Sequence, residues 1–191
     1  MYSIVRLLIS AVILLVFWIL CSAKNRKSSL KAVLILFAVI FSFSHIVRFE
    51  NNLITFSSPH NIWVYKYGCD PEIAILGDES AIVLGEHMAK NVLTTAVRSG
   101  DGWKIGNDGN LTVIDHFFVQ DILVTLERYS GKRDIFMKVV NTEGLPINIA
   151  DDYNTEFHEL KNSESSVYYG YVPYYEQGYV LYINDAKIVL E

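Results

Sequence analysis

Two cysteines in a 191-residue chain are too few for a disulfide-braced scaffold. Past residue 50 there is no Pro-, Gly- or Ser-rich linker and no repeat of fixed period. A string of small domains and a solenoid are therefore excluded. Catalytic signatures are also missing. There is no phosphate-cradling glycine loop, no nucleophile elbow and no paired-histidine zinc motif; Glu86-His87 has two of the right letters, but no histidine follows four residues on. Two cysteines and five scattered histidines give no zinc spacing. His60, His87, His116 and His158 supply material for a Ser/His/Asp site, but any chain of this size offers such sets by chance.

Basic charge is scarce over most of the length. Residues 51–191 carry ten Lys and Arg against twenty Asp and Glu, a net charge of -10. Nucleic acid is thus disfavoured as a partner, because its phosphates are repelled. Residues 1–50 are the opposite, with six basic residues and one acid, a net charge of +5. Disorder is excluded by an apolar content of 51%.

The hydrophobic residues concentrate in two uncharged runs, Leu7 to Ala23 and Ala32 to Val47. A spanning helix needs about twenty apolar residues and about seventeen at the least. Arg6, Lys31 and Arg48 supply the missing length by snorkelling, with Tyr2 and Phe49 suited to the interface. The expectation is a two-helix transmembrane hairpin over residues 1–49, with helices at about 4–23 and 31–48. Its connector, KNRKSSLK, carries four positive charges and no acid, which keeps it cytoplasmic and puts both ends of the chain outside. A lipoprotein signal is rejected, since Leu20 stands before Cys21 where a small residue is needed. Signal-peptidase cleavage after Ala23 has small residues in the key positions but would strand the basic connector outside. Cys69 alone could form an intermolecular bridge, though a buried, inert thiol is the preferred expectation.

Residues 50–191 read as one extracytoplasmic unit. Asn52–Phe56 alternates weakly and suggests a short strand. Ser57-Ser58-Pro59 then gives a cap followed by proline, the start of a short helix that ends at Gly68 and puts Ile62, Trp63 and Tyr67 near the core. Strands are expected at Ile73–Leu76, Ala81–Leu84, Asn91–Arg98, Trp103–Ile105, Leu111–Val119, Ile122–Glu127 and Ile135–Val140, separated by Gly- and Asp-bearing turns. A helix over Glu79–Val97 competes, but Gly85 and a β-branched tail argue against it. Ser166–Val172, Gly178–Ile183 and Lys187–Leu190 close the chain. The fold class is a mainly antiparallel β, or α+β, domain with one short helix.

Two clusters invite functional readings. Asp151, Asp152, Tyr153, Asn154 and Glu156 present several oxygens to a cation such as Ca²⁺, yet the EF-hand pattern is absent and a solvated turn is preferred. Seven tyrosines fall within 168–182. Strand alternation puts Tyr169 and Tyr171 on a core face and Tyr168 on the other, beside Gly170. Ordinary core and cross-strand packing is the preferred reading of the cluster; the sharper one is an interaction surface at Tyr168, with Tyr174 and Tyr175 at the adjoining turn, and it requires Tyr168 to be more exposed than Tyr169. No catalytic, cofactor or metal residue is assigned.

Leu53-Ile54-Thr55-Phe56-Ser57-Ser58-Pro59, Asp101-Gly102-Trp103-Lys104-Ile105, Asn154-Thr155-Glu156-Phe157 and Tyr179-Val180-Leu181-Tyr182-Ile183-Asn184-Asp185 carry a further likeness. In these words the chain resembles small, uncharacterised membrane-anchored proteins of Gram-positive bacteria with an extracytoplasmic β-rich domain. It departs from them after Pro59, where His60, Asn61, Ile62 and Trp63 stand in place of acids and a Phe. The resemblance implies a location and a fold, and no catalytic residues. Three classes of function follow: a non-enzymatic binding module, an accessory or immunity-type subunit touching another membrane protein through Ser42, Ser44 and His45, and an envelope hydrolase. The lipid bilayer is the expected partner, with another membrane or envelope protein beside it.

Overall fold

The computed structural model describes residues 50–191, except 144, 146, 162–164, 174, 185 and 191, together with helical positions 7, 8, 10–12, 15, 36, 37 and 39. Among the described residues no helix is long and apolar enough to cross a membrane. Apart from those few positions, the expected hairpin lies outside the described residues. The chain divides into two compact units, Met1–Ile54 with Tyr65–Gly68, and Thr55–Val64 with Cys69–Glu191.

The described residues of the first unit include α1, Glu50–Leu53, closed by the Ile54 amide on the Glu50 carbonyl at 2.7 Å. The strand expected at Asn52–Phe56 is not formed. Its first residues take the helical turn instead, and only Phe56 pairs in extended fashion, as an isolated bridge to Trp103.

Helix α2, Pro59–Tyr67, starts where its capping signature puts it, the Asn61 amide donating to Ser58 Oγ at 3.2 Å. Gly68, at φ +77, ends it in the left-handed region that costs glycine nothing. Ile62 and Trp63 are fully buried. A Cβ on Gly85 would lie 2.8 Å from a ring carbon of Trp63, so the glycine that argued against a helix here is the seat of that indole.

The strands form three antiparallel sheets. β1 (Ile73–Leu76), β2 (Ser80–His87), β3 (Lys90–Ser99) and β4 (Gly102–Ile105) make a four-stranded meander. β5 (Leu111–Val119), β6 (Ile122–Tyr129), β7 (Ile135–Asn141), β9 (Phe157–Lys161) and β10 (Ser166–Val172) make a five-stranded sheet in the order β5-β6-β7-β10-β9. β8 (Ile149–Asp151), β11 (Tyr179–Ile183) and β12 (Ala186–Leu190) make the third, in the order β12-β11-β8.

The five-stranded sheet is the middle layer. From its inner strands Val124, Leu126, Met137, Val139, Tyr168 and Val172 pack against Tyr179, Leu181, Ile183 and Leu190 of the three-stranded sheet. From the opposite face Phe136, Leu160 and Tyr169 pack against Ile75, Ile82 and Leu84 of the meander. A strand covered on both faces loses the alternation of a half-exposed one and reads as a near-continuous apolar run. β10, SVYYGYV, has that character.

This burial corrects the expectation for the tyrosine cluster. Tyr168 is 7% exposed and Tyr169 is 4% exposed, so both rings are core. Gly170 does not mark an open face: the space above it is filled by Thr155 and the ring of Phe157, within 3.1 Å of a would-be Cβ. Tyr171, expected in the core, is only half-buried. Cys69 is likewise corrected, being free and exposed.

Candidate functional site

The middle sheet and the meander meet at a groove of about 440 Å³. One wall is β1, through Ala74, Ile75 and Leu76. The other is the turn Tyr153–Glu156 with His158 of β9, and Tyr171 and Pro173 come from the end of β10. Two buried carboxylates hold these walls.

The first is Asp134, 4% exposed, in the connection from β6 to β7. It accepts from the amides of Asp78 at 3.1 Å and Glu79 at 2.8 Å, from the Ser80 amide, and from the Ser80 hydroxyl at 2.7 Å. It thereby grips the β1–β2 turn. A Cβ on Gly77 would fall 2.7 Å from the Asp134 carboxyl carbon, so that position has no room for a side chain. Glu79 reciprocates by accepting from the Arg133 amide at 2.9 Å. The Tyr171 hydroxyl also donates to Asp134, at 3.4 Å. Burial, followed by the charges of Asp134 and Asp78, pushes this phenol up to about 12, so it is neutral and a donor at physiological pH.

The second is Asp151, buried at the end of β8. The amides of Tyr153 at 3.0 Å and Thr155 at 2.8 Å donate to it, as does the Tyr179 hydroxyl. Burial opposes its ionisation, but contacts with Thr155, Tyr179 and these amides outweigh that and hold the carboxyl below its ordinary range. The turn is fixed in consequence. Tyr153 lies flat on Tyr179, centroids 5.5 Å apart at 17°, while remaining 45% exposed. Asn154, at φ +56, takes the left-handed position that asparagine tolerates.

These contacts also bear on the cation reading. Asp151 turns its oxygens inward to amides and a phenol, whereas Asp152 and Glu156 are exposed. Among the described residues, no group of three His, Cys, Asp or Glu side chains is placed to hold a metal ion. Among the described residues the histidines do not converge either. His60 sits 3.2 Å from Asp70, and His116 packs edge-on to Phe118. His158 alone reaches the groove, 3.8 Å from a Glu156 side chain that is 84% exposed. No hydroxyl or thiol among the described residues is hydrogen-bonded to His158, so the base–nucleophile contact of a hydrolase is not formed.

Of the expected surface, Tyr168 is core and its hydroxyl accepts from the Ile147 amide at 3.2 Å. Tyr175 is half-buried against Tyr179 at 5.6 Å, its phenol raised by burial and then by Asp115. Tyr174 lies outside the described residues. Neither Tyr168 nor Tyr175 lines the groove. Tyr153 and Leu76, which sequence reasoning missed as surface anchors, are its exposed apolar contacts, and their only signal was position beside a turn.

The stretches that supply the groove walls are acidic. Residues 67–89, which include β1 and β2, hold five acids and no Lys or Arg; residues 139–160, which lead into β9, hold the same. The chain matches no family model, no curated protein and no solved structure.

Proposed function

We propose that this chain is a membrane-anchored module whose β domain stands outside the cytoplasm and binds a partner without transforming it. The two apolar runs and the four-charge connector support the anchor and its orientation. The resemblance to membrane-anchored proteins of Gram-positive bacteria supports the same placement. The binding role rests on the groove: a rigid wall, an exposed tyrosine ring held flat, and exposed Leu76. The bilayer and another membrane or envelope protein are the partners this reading requires.

The test uses a Cys69→Ser background, because that thiol is exposed. In intact cells, a membrane-impermeant thiol-reactive photocrosslinker is attached to Tyr153→Cys or to Gly109→Cys. Both positions are expected to label before lysis, and only position 153 to yield a discrete higher-mass adduct. Labelling that requires lysis contradicts the orientation, and the same adducts from both positions contradict the groove.

A further inference from the structure

The groove contains a strand edge as well as side chains. β1 ends the four-stranded sheet and pairs only with β2 among the described strands. The Gly77 amide donates to the Ser80 carbonyl at 2.9 Å, and the register runs on through Ile75↔Ile82 and Ile73↔Leu84. In an antiparallel pair the positions that bond across alternate. Positions 73, 75 and 77 therefore face β2, and the peptide groups of Ala74 and Leu76 point off the sheet into the groove. Ala74 is exposed and Leu76 is 54% exposed.

Edges of this kind are usually blunted by lysine, proline or a bulge. β1, Ile-Ala-Ile-Leu, carries no lysine or proline, and its register is regular from Ile73 to Leu76; an irregularity is confined to its start, where the Glu72 amide reaches the carbonyl of Leu84, the residue opposite Ile73. Asp134 clamps the turn at its end, so the edge is held ready for pairing at little ordering cost.

The geometry points to an extended, cationic peptide segment of a protein partner as the ligand, added to β1 as a further strand. This rests on the binding-module reading and deepens it. Main-chain pairing with Ala74 and Leu76 would supply register and affinity, as in other strand-addition complexes. Alternate apolar side chains would meet Leu76, Tyr153, Tyr171 and Pro173. Alternate Lys or Arg side chains would meet Glu156 of the groove and other acids of the two flanking stretches, which hold no lysine or arginine of their own; Arg133, from outside them, lies 3.6 Å from Glu79. A polyanion is disfavoured by the same charge.

The test is fluorescence anisotropy on the full chain in detergent, with a labelled decapeptide of alternating lysine and valine. Binding is expected, weakening as salt is added. A peptide with glutamate for lysine should bind at least about tenfold more weakly. Ala74→Pro removes an edge amide that makes no bond to β2 and should weaken binding by about tenfold or more, with circular dichroism unchanged. Should that variant misfold, the decapeptide N-methylated at alternate residues makes the same deletion from the ligand side and should lose binding to the native chain. Equal binding by the glutamate peptide, or by the N-methylated peptide, overturns the inference. Binding of an N-acetylglucosamine oligomer without the peptide overturns it while leaving the binding module standing. A failed crosslink at position 153 removes the broader reading instead.

Discussion

Asp134→Ala is expected to be among the most damaging single changes in the β domain. The carboxylate accepts from three consecutive amides and one hydroxyl of the β1–β2 turn. Ser80, which provides two of those donors, is 1% exposed and has no water to turn to. Stranding a buried donor costs about 1–3 kcal/mol, and the amides of Asp78 and Glu79, nearer solvent, lose less. The total comes to about 3–5 kcal/mol, a large share of the roughly 5–15 kcal/mol that holds a domain folded. Asp134→Asn keeps the shape and one acceptor oxygen but turns an NH₂ toward the donors, so about 2 kcal/mol is expected from it. Urea unfolding followed by tryptophan fluorescence reads both values. If Asp134→Ala lies within about 0.5 kcal/mol of the parent, the clamp described for the groove wall does not exist.

Three further outcomes are expected. Burial raises the Glu127 carboxyl, Lys138 offsetting part of it, so its contribution is full at low pH and lost as pH rises through the raised value. Glu127→Gln should therefore stabilise the fold near pH 7 and make no difference below the ordinary glutamate range; a lower melting temperature at pH 7 would refute this. Asp151 has the opposite sign: its contribution is present above the ordinary aspartate range and lost as pH falls through the depressed value. Asp151→Asn should lower the melting temperature at pH 7 and narrow its gap to the parent in strong acid, and a gap constant with pH would count against the assignment. The β2–β3 hairpin turns through Met88 and Ala89, both at positive φ, where asparagine and glycine fit without strain. Met88→Asn with Ala89→Gly should stabilise by about 1–2 kcal/mol in denaturant titration, and a destabilised variant would mean a different turn.

Local signals in the sequence found most strands. Leu111–Val119 and Ser166–Val172 have the expected bounds, and α2 begins at its Ser-Ser-Pro signature, because alternation and capping are properties of neighbouring residues. Layering is not such a property. Nothing within SVYYGYV says that a second sheet covers the face carrying Tyr168, and Gly170 looks like a gap until Phe157 is seen to fill it. β8 and β9 were missed as well. Each is short; β9 pairs with the neighbouring β10 but carries the charged Glu159 and Lys161 in its few residues, while β8 is fixed by β11, about thirty positions along the chain. The groove was invisible for the same cause, since Asp134 and the turn it grips lie more than fifty positions apart. Its charge was legible, as two long stretches without a basic residue.

Residue-resolved hydrogen exchange on the full chain, with and without the lysine–valine peptide, tests the groove most directly. In the free protein the amides of Ala74 and Leu76 should exchange fast, and those of Ile73 and Ile75, which face β2, slowly. Adding the peptide should slow Ala74 and Leu76 and leave Ile75 unchanged. Protection of Ala74 and Leu76 before any peptide is present, or peptide-induced protection that falls elsewhere in the domain, would contradict the account.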